Sequence, residues 1–236
     1  MRQKMENNII IVGASSSIGK SIISKFRSPS THIIASYFTK KDIKPEDNIH
    51  PLELDLKREQ SIENFIKKVH LLASHIDTAI FLAGILPGKN LKEYNLADME
   101  KVMTINFTGQ AKVIKGLLPL LDSDSQIIMI SSISARRGSY DPIYAASKGA
   151  ILAFVKSLAV GLGGVRVNAI APGLIEDSTM YKEMSVDRQE LHRQQTSQKR
   201  LLCMSDLADV IYDISQSHWK HWNGACIDLN GGQYVK

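Results

Sequence analysis

Seven short apolar runs punctuate the chain: NIIIV (8–12), HIIASY (32–37), IHPLEL (49–54), TAIFLA (78–83), QIIMIS (126–131), VRVNAI (165–170) and ACIDL (225–229). Each has the length of a strand, and most are too continuously apolar for a strand with one wet face, which suits strands covered on both sides. Between them lie stretches of helical period at 18–27, 58–74, 96–120, 142–161 and 205–216. Strands alternating with helices in this way predict a doubly wound α/β fold: three layers, a parallel seven-stranded sheet in the middle and helices on both faces. In such a sheet ligands bind at the carboxyl ends of the strands, where the strand order reverses.

The 236 residues suffice for one large domain over 1–236, and no repeat, low-complexity stretch or linker divides them. No apolar run approaches the roughly 18 residues that span a bilayer, and the apolar part of MRQKMENNIIIVG is too short for a signal peptide, so a cytoplasmic protein without a membrane partner is expected. The net charge of +5 includes no block of like charges and no basic stripe interleaved with aromatics, which argues against nucleic acid as a partner. Cys203 and Cys226 have no C-x-x-C spacing, and His218 and His221 have no cysteine or carboxylate cluster beside them, so neither a disulfide nor a metal site is expected.

Two segments carry chemistry. The first apolar run leads into GASSSIGKSI (13–22), where Gly13 allows a tight turn, Gly19 lets a helix pack close to the sheet, and the free N–H groups of the helix start can hold a pyrophosphate. In YDPIYAASKG (140–149), Asp141 as N-cap and Pro142 at the first helical position open a helix. Tyr144 and Lys148, one turn apart, then share a face. An adjacent ammonium lowers a phenol's pKa from about 10 toward neutrality, which suits proton exchange. Taken alone, the pair also fits an aromatic ring stacked on a lysine stem.

Together with the motifs below, these segments resemble the short-chain dehydrogenase/reductase family nearly end to end, in particular its 3-oxoacyl-(acyl carrier protein) reductase-like members. The resemblance implies a Rossmann-type fold and hydride transfer between NAD(P)(H) and a carbonyl/alcohol pair. The family's G-x-x-x-G-x-G loop reads Gly13, Ser15, Ser16, Ser17, Ile18 and Gly19 around Ala14, with Ser17 in place of the middle glycine. LELDL supplies Asp55, which by resemblance accepts from the adenine amino group, with Leu56 beside it. FLAGI supplies Ala83 and Gly84 beside the ribose, with Leu82 where the family has asparagine. Asn106 in MTINFTG, Ser132 in ISSIS, and Tyr144 and Lys148 in YAASK fill the four catalytic positions, and Pro172, Gly173 and Ile175 in VNAIAPGLI fall near the nicotinamide. The resemblance implies that Tyr144 exchanges the proton, Lys148 lowers its pKa and holds the ribose, Ser132 binds the substrate oxygen and Asn106 holds a water leading to solvent. Ser131 is the rival for Ser132.

The second apolar run ends at Tyr37, or Ser36 in a register one residue earlier, where NAD-dependent members carry an acid; Phe38, Thr39, Lys40 and Lys41 follow. Neither candidate is charged, and a lysine such as Lys40 can bind a 2′-phosphate, so NADP(H) is favoured over NAD(H). The variable substrate segment spans about 174–204; residues 176–204 balance five acids (Glu176, Asp177, Glu183, Asp187, Glu190) against five bases (Lys182, Arg188, Arg193, Lys199, Arg200). That polar, neutral balance points to a small polar hydroxy or keto substrate, with a 3-oxoacyl thioester or a sugar derivative as alternatives. A homotetramer or dimer is expected, packed through the helices at 96–120 and 142–161, because Ile151, Phe154, Val155 and Leu158 exceed what one sheet-facing side requires.

Overall fold

The computed structural model describes residues 7–39 and 42–235. Seven strands form one sheet: β1 (Asn7–Val12), β2 (Thr31–Tyr37), β3 (Ile49–Glu53), β4 (Thr78–Phe81), β5 (Gln126–Ile130), β6 (Arg166–Pro172) and β7 (Cys226–Leu229). Their order is β3-β2-β1-β4-β5-β6-β7, and every neighbouring pair is parallel. The order reverses between β1 and β4, which opens a crevice at their carboxyl ends.

The near-continuous apolarity of the strands has the expected cause. Ile10, Val12 and Ala79 face one helical layer, while Ile9, Ile11 and Ile80 face the other. The first layer holds α2 (Glu59–Leu72), α3 (Leu96–Met103), α4 (Gly109–Leu117), the short α5 (Ser134–Arg137) and α6 (Pro142–Gly161). Beyond β6 come α7 (Thr179–Lys182) and α8 (Val186–Gln195), and then α9 (Met204–Ile214), which packs with α1 (Ser17–Phe26) on the other face.

Three departures from the sequence reading matter. The helix expected over 96–120 is interrupted by a π-helical turn at Thr104–Thr108, with the Gly109 N–H donating to Thr104 O. A Cβ on Gly109 would sit 2.5 Å from Leu56 O, so the helix passes the end of β3 too closely for any side chain there. Secondly, α6 is 20 residues long and, by length and composition alone, apolar enough to cross a membrane, contrary to the expectation that no run came near that length. Here it forms part of a layer, with Tyr144, Ser147, Lys148, Ile151 and Val155 turned inward. Thirdly, Ile151 and Val155 are therefore core residues and not surplus, whereas Phe154 and Leu158 are half-buried and Phe154 meets Phe107 edge-on.

Candidate active site

The crevice is built first by close approach of two strand exits. Gly13 has φ +92°, and a Cβ there would lie 2.8 Å from the Ala83 N atom, so both the backbone angle and the space require glycine. Its N–H donates to Ser36 Oγ at 2.8 Å, tying the β1 exit to the end of β2. Ser16 caps α1 by accepting from the Gly19 N–H at 3.0 Å and donates its own hydroxyl proton to Gly13 O at 2.8 Å. A Cβ on Gly19 would sit 2.5 Å from Ala14, which is why this helix can start so close to the sheet. The N–H groups of Ser17 and Ile18, at the first two helical positions, have no intrahelical acceptor and border the crevice. The serine that replaces the middle glycine is thus an exposed helix-start residue.

Two adjoining cavities share Gly84 and Ile85. The smaller, about 390 Å³, is walled by Gly13, Ser15, Ser36, Phe38, Asp55 and Leu56, with Ala83 beneath. The larger, about 650 Å³, takes in Ser16, Ser17, Ile18, Ser132, Tyr144 and Lys148, and extends to Pro172, Gly173 and Ile175. Three expected residues do not border either cavity. Gly19 lies behind the loop, Asn106 lies behind Gly84, and Tyr37 is displaced by its neighbours. Side chains alternate along an extended strand, so Ser36 and Phe38 face the cavity and Tyr37 does not. Lys40 and Lys41 lie outside the described residues.

The chemically active wall is made by β5, the segment after β4, and α6. Ser131 is 2% exposed and donates to Lys148 O at 2.8 Å, pinning the helix to the strand. Ser132 accepts from the Ser134 N–H at 3.1 Å and lies beside Tyr144, so Ser132 rather than Ser131 is aimed at the tyrosine. Tyr144 and Lys148 are 9% and 4% exposed, and the Lys148 ammonium lies 5.9 Å from the centre of the Tyr144 ring. Lys148 Nζ donates to Ile130 O at 2.8 Å.

Electrostatics correct the sequence expectation. Burial raises the Tyr144 phenol above its ordinary value; the Ser132 hydrogen bond opposes this and Asp141 adds to it, and Lys148 is not what sets it. Lys148 itself is lowered to about 8 by burial, because taking an ammonium out of water favours its neutral form. Asn106 is held from two sides. Its Nδ2 donates to Ile85 O at 3.0 Å and to Ser147 Oγ at 2.9 Å, and its Oδ1 accepts from the Ile85 N–H at 2.8 Å. Both amide hydrogens are engaged, so this side chain holds the Ile85 segment against α6. The π-helical turn is what brings it there.

The sequence identified Asp141 as an N-cap and missed its larger part. Only 1% exposed, it accepts from the Tyr144 N–H at 2.9 Å, the Tyr94 hydroxyl at 2.8 Å and the Gly88 N–H at 3.0 Å. It thereby ties the start of α6 to the loop after β4, some fifty residues away, for which no local pattern gives a signal.

The glycine cradle, the open helix start and the adjoining cavities fit a dinucleotide. A family model described as enoyl-(acyl carrier protein) reductase matches residues 13–233. The chain belongs to this family of short-chain dehydrogenases/reductases. Short-chain dehydrogenases/reductases similar to it include the 3-oxoacyl-[acyl-carrier-protein] reductase FabG of Aquifex aeolicus, 27% identical over 99% of this chain and 100% of the relative. FabG of Buchnera aphidicola is 27% identical over 95% of this chain and 96% of the relative. The Brucella melitensis short-chain dehydrogenase/reductase structure described as glucose/ribitol dehydrogenase is 27% identical, with a TM-score of 0.92 and 100% of each chain covered. This member is an NAD(P)-dependent oxidoreductase acting on a carbonyl/alcohol pair.

Proposed function

We propose that the protein reduces the carbonyl of a small polar substrate to a secondary alcohol with NADPH, and that Tyr144 delivers the proton. What supports this most is the meeting of Ser132, Tyr144 and Lys148 on one wall of the larger cavity, which adjoins the smaller cavity at Gly84. The Ser17 and Ile18 N–H groups and the Gly13 turn would hold the pyrophosphate, Asp55 and Leu56 the adenine, and Pro172, Gly173 and Ile175 the nicotinamide end. When bound there, the reduced cofactor would supply the hydride that the carbonyl carbon takes up. Ser132 donates a hydrogen bond to the carbonyl oxygen, a fixed dipole where negative charge develops. Tyr144 transfers its hydroxyl proton to that oxygen, which closes the new alcohol. A phenol is protonated at neutral pH, the form that the reductive direction needs. Lys148, near pKa 8, returns the proton to the phenolate. Asn106 and Asp141 hold the walls in place.

NADP(H) is favoured because the end of β2 offers the crevice Ser36 and Phe38 and no acid, while Lys57 and Lys101 border the same cavity. Phe38→Asp tests this: it should lower kcat/KM for NADPH at least tenfold through charge repulsion, with a smaller change for NADH. Native preference for NADH would refute it. The protein is proposed to work in the cytoplasm as a homotetramer or dimer.

The names of the FabG relatives favour a 3-oxoacyl thioester as a second substrate reading. One screen decides the function: reduction of simple ketones, keto sugars and acetoacetyl-CoA, followed by cofactor absorbance with NADPH and NADH. Cofactor-dependent reduction of a small ketone or keto sugar supports the proposal, preference for the thioester selects the second reading, and no turnover on any arm refutes both.

A further inference from the structure

The five acids and five bases of residues 176–204 cancel on paper, yet they do not share one surface. Glu176 accepts from Arg193 Nη2 at 2.6 Å, and Glu190 lies 3.4 Å from Arg193 Nε. Asp177 accepts from the Met204 N–H at 3.0 Å. These acids are spent inside the segment. Arg188 on α8 instead borders the larger cavity, and so does Arg137 at the end of α5.

The neighbouring arginines show how different these two are. Arg136 is held by Asp228 at 2.9 Å and Arg193 by Glu176. Among the described residues no carboxylate is paired with Arg137 or Arg188; Arg137 makes only a 3.3 Å bond to the neutral Gln195 Oε1. Both charges act on His192, one turn beyond Arg188, whose pKa is lowered by burial and then by Arg137 and Arg188. His192 Nδ1 is buried and has no hydrogen-bond partner among the described residues. One acid, Glu183, borders the cavity on this side. Two guanidinium groups and an uncharged imidazole thus converge, outnumbering it, on the chamber that holds Tyr144.

We infer that Arg137, Arg188 and His192 form an anion subsite, and that the substrate is a carbonyl compound bearing a carboxylate or phosphate. The inference rests on the carbonyl-reductase reading of the same cavity. A guanidinium presents paired N–H donors that match either oxyanion, and both arginines are exposed enough to bind without a burial cost.

The test uses the full chain with saturating NADP⁺ and measures binding of 4-oxopentanoate against its methyl ester, and of dihydroxyacetone phosphate against dihydroxyacetone, by calorimetry. At least one anion should bind about tenfold or more tightly than its neutral counterpart, and an Arg137→Gln/Arg188→Gln variant should bring that ratio within about twofold of unity. The favoured pair tells carboxylate from phosphate. Equal affinities, no anion binding up to about 20 mM, a ratio unchanged in the variant, or tighter binding of a trimethylammonium ketone at Glu183 would overturn the subsite. Turnover with NADPH is followed separately. Selective anion binding with no ketone reduced leaves the subsite standing and defeats the reductase reading; equal reduction of acid and ester does the reverse.

Discussion

Lys148→Met should make the cofactor-free protein more stable at neutral pH. Lys148 is 4% exposed and its pKa falls from the ordinary 10.5 to about 8 on folding, so the fold holds an ammonium that would be better solvated in the unfolded chain. At about 1.4 kcal/mol per pKa unit, that difference is a cost of about 3 kcal/mol below pH 8. Methionine of similar length fills the space but leaves Ile130 O without its 2.8 Å donor, which offsets about 1 kcal/mol. The net gain is about 2 kcal/mol. Its pH dependence is the sharper signature. Between pH 8 and 10.5 the unfolded chain binds more protons at this site than the folded one, so native stability rises with pH across that window. The advantage of the variant should be full at pH 7, fall away as pH rises toward 10.5, and become a deficit of about 1 kcal/mol above that, where only the lost donor to Ile130 O remains. Urea unfolding of both proteins at a series of pH values reads the difference directly. A variant less stable at pH 7, or a difference that does not change with pH, would refute the reasoning.

Two further substitutions probe the frame around this lysine. A Cβ on Gly84 would stand 3.2 Å from Lys148 Nζ and 3.4 Å from Asn106 Oδ1, so Gly84→Ala should cut kcat by about tenfold or more while costing less than about 1 kcal/mol in urea unfolding. Asp141→Ala strips the acceptor from Tyr94, Gly88 and Tyr144 in a buried place and should cost about 3 kcal/mol by the same assay; a loss below about 1 kcal/mol would show that the loop after β4 is held by other means.

The sheet was legible because strands buried on both faces are written as local apolar runs, and β1, β2 and β5 fall within a residue of the expected bounds. The cluster of Ser132, Tyr144 and Lys148 was legible because two of its members are one helical turn apart and all three stand in family motifs. What escaped depends on distant geometry. The π-helical turn carrying Asn106 continues a helical pattern without a break in the sequence, and the short polar helices α7 and α8 have no apolar stripe to announce them. The sign of the Tyr144 shift was misread because a helix-face argument counts the nearby ammonium and omits burial, which acts more strongly here. The segment 176–204 looked neutral because composition does not say which charges neutralise one another.

The central claim is that Tyr144 is the proton donor in a cavity whose cofactor crevice is separately built. Tyr144→Phe removes the hydroxyl and leaves the ring, the Asp141 cap and the Gly13 turn in place. NADPH affinity by fluorescence and ketone reduction by absorbance should be measured on the same preparation of this variant and of the native protein. The account predicts NADPH affinity within about threefold of native and a rate lowered by 100-fold or more, the scale of a lost general acid. A Tyr144→Phe protein that keeps more than about a tenth of native turnover would contradict it.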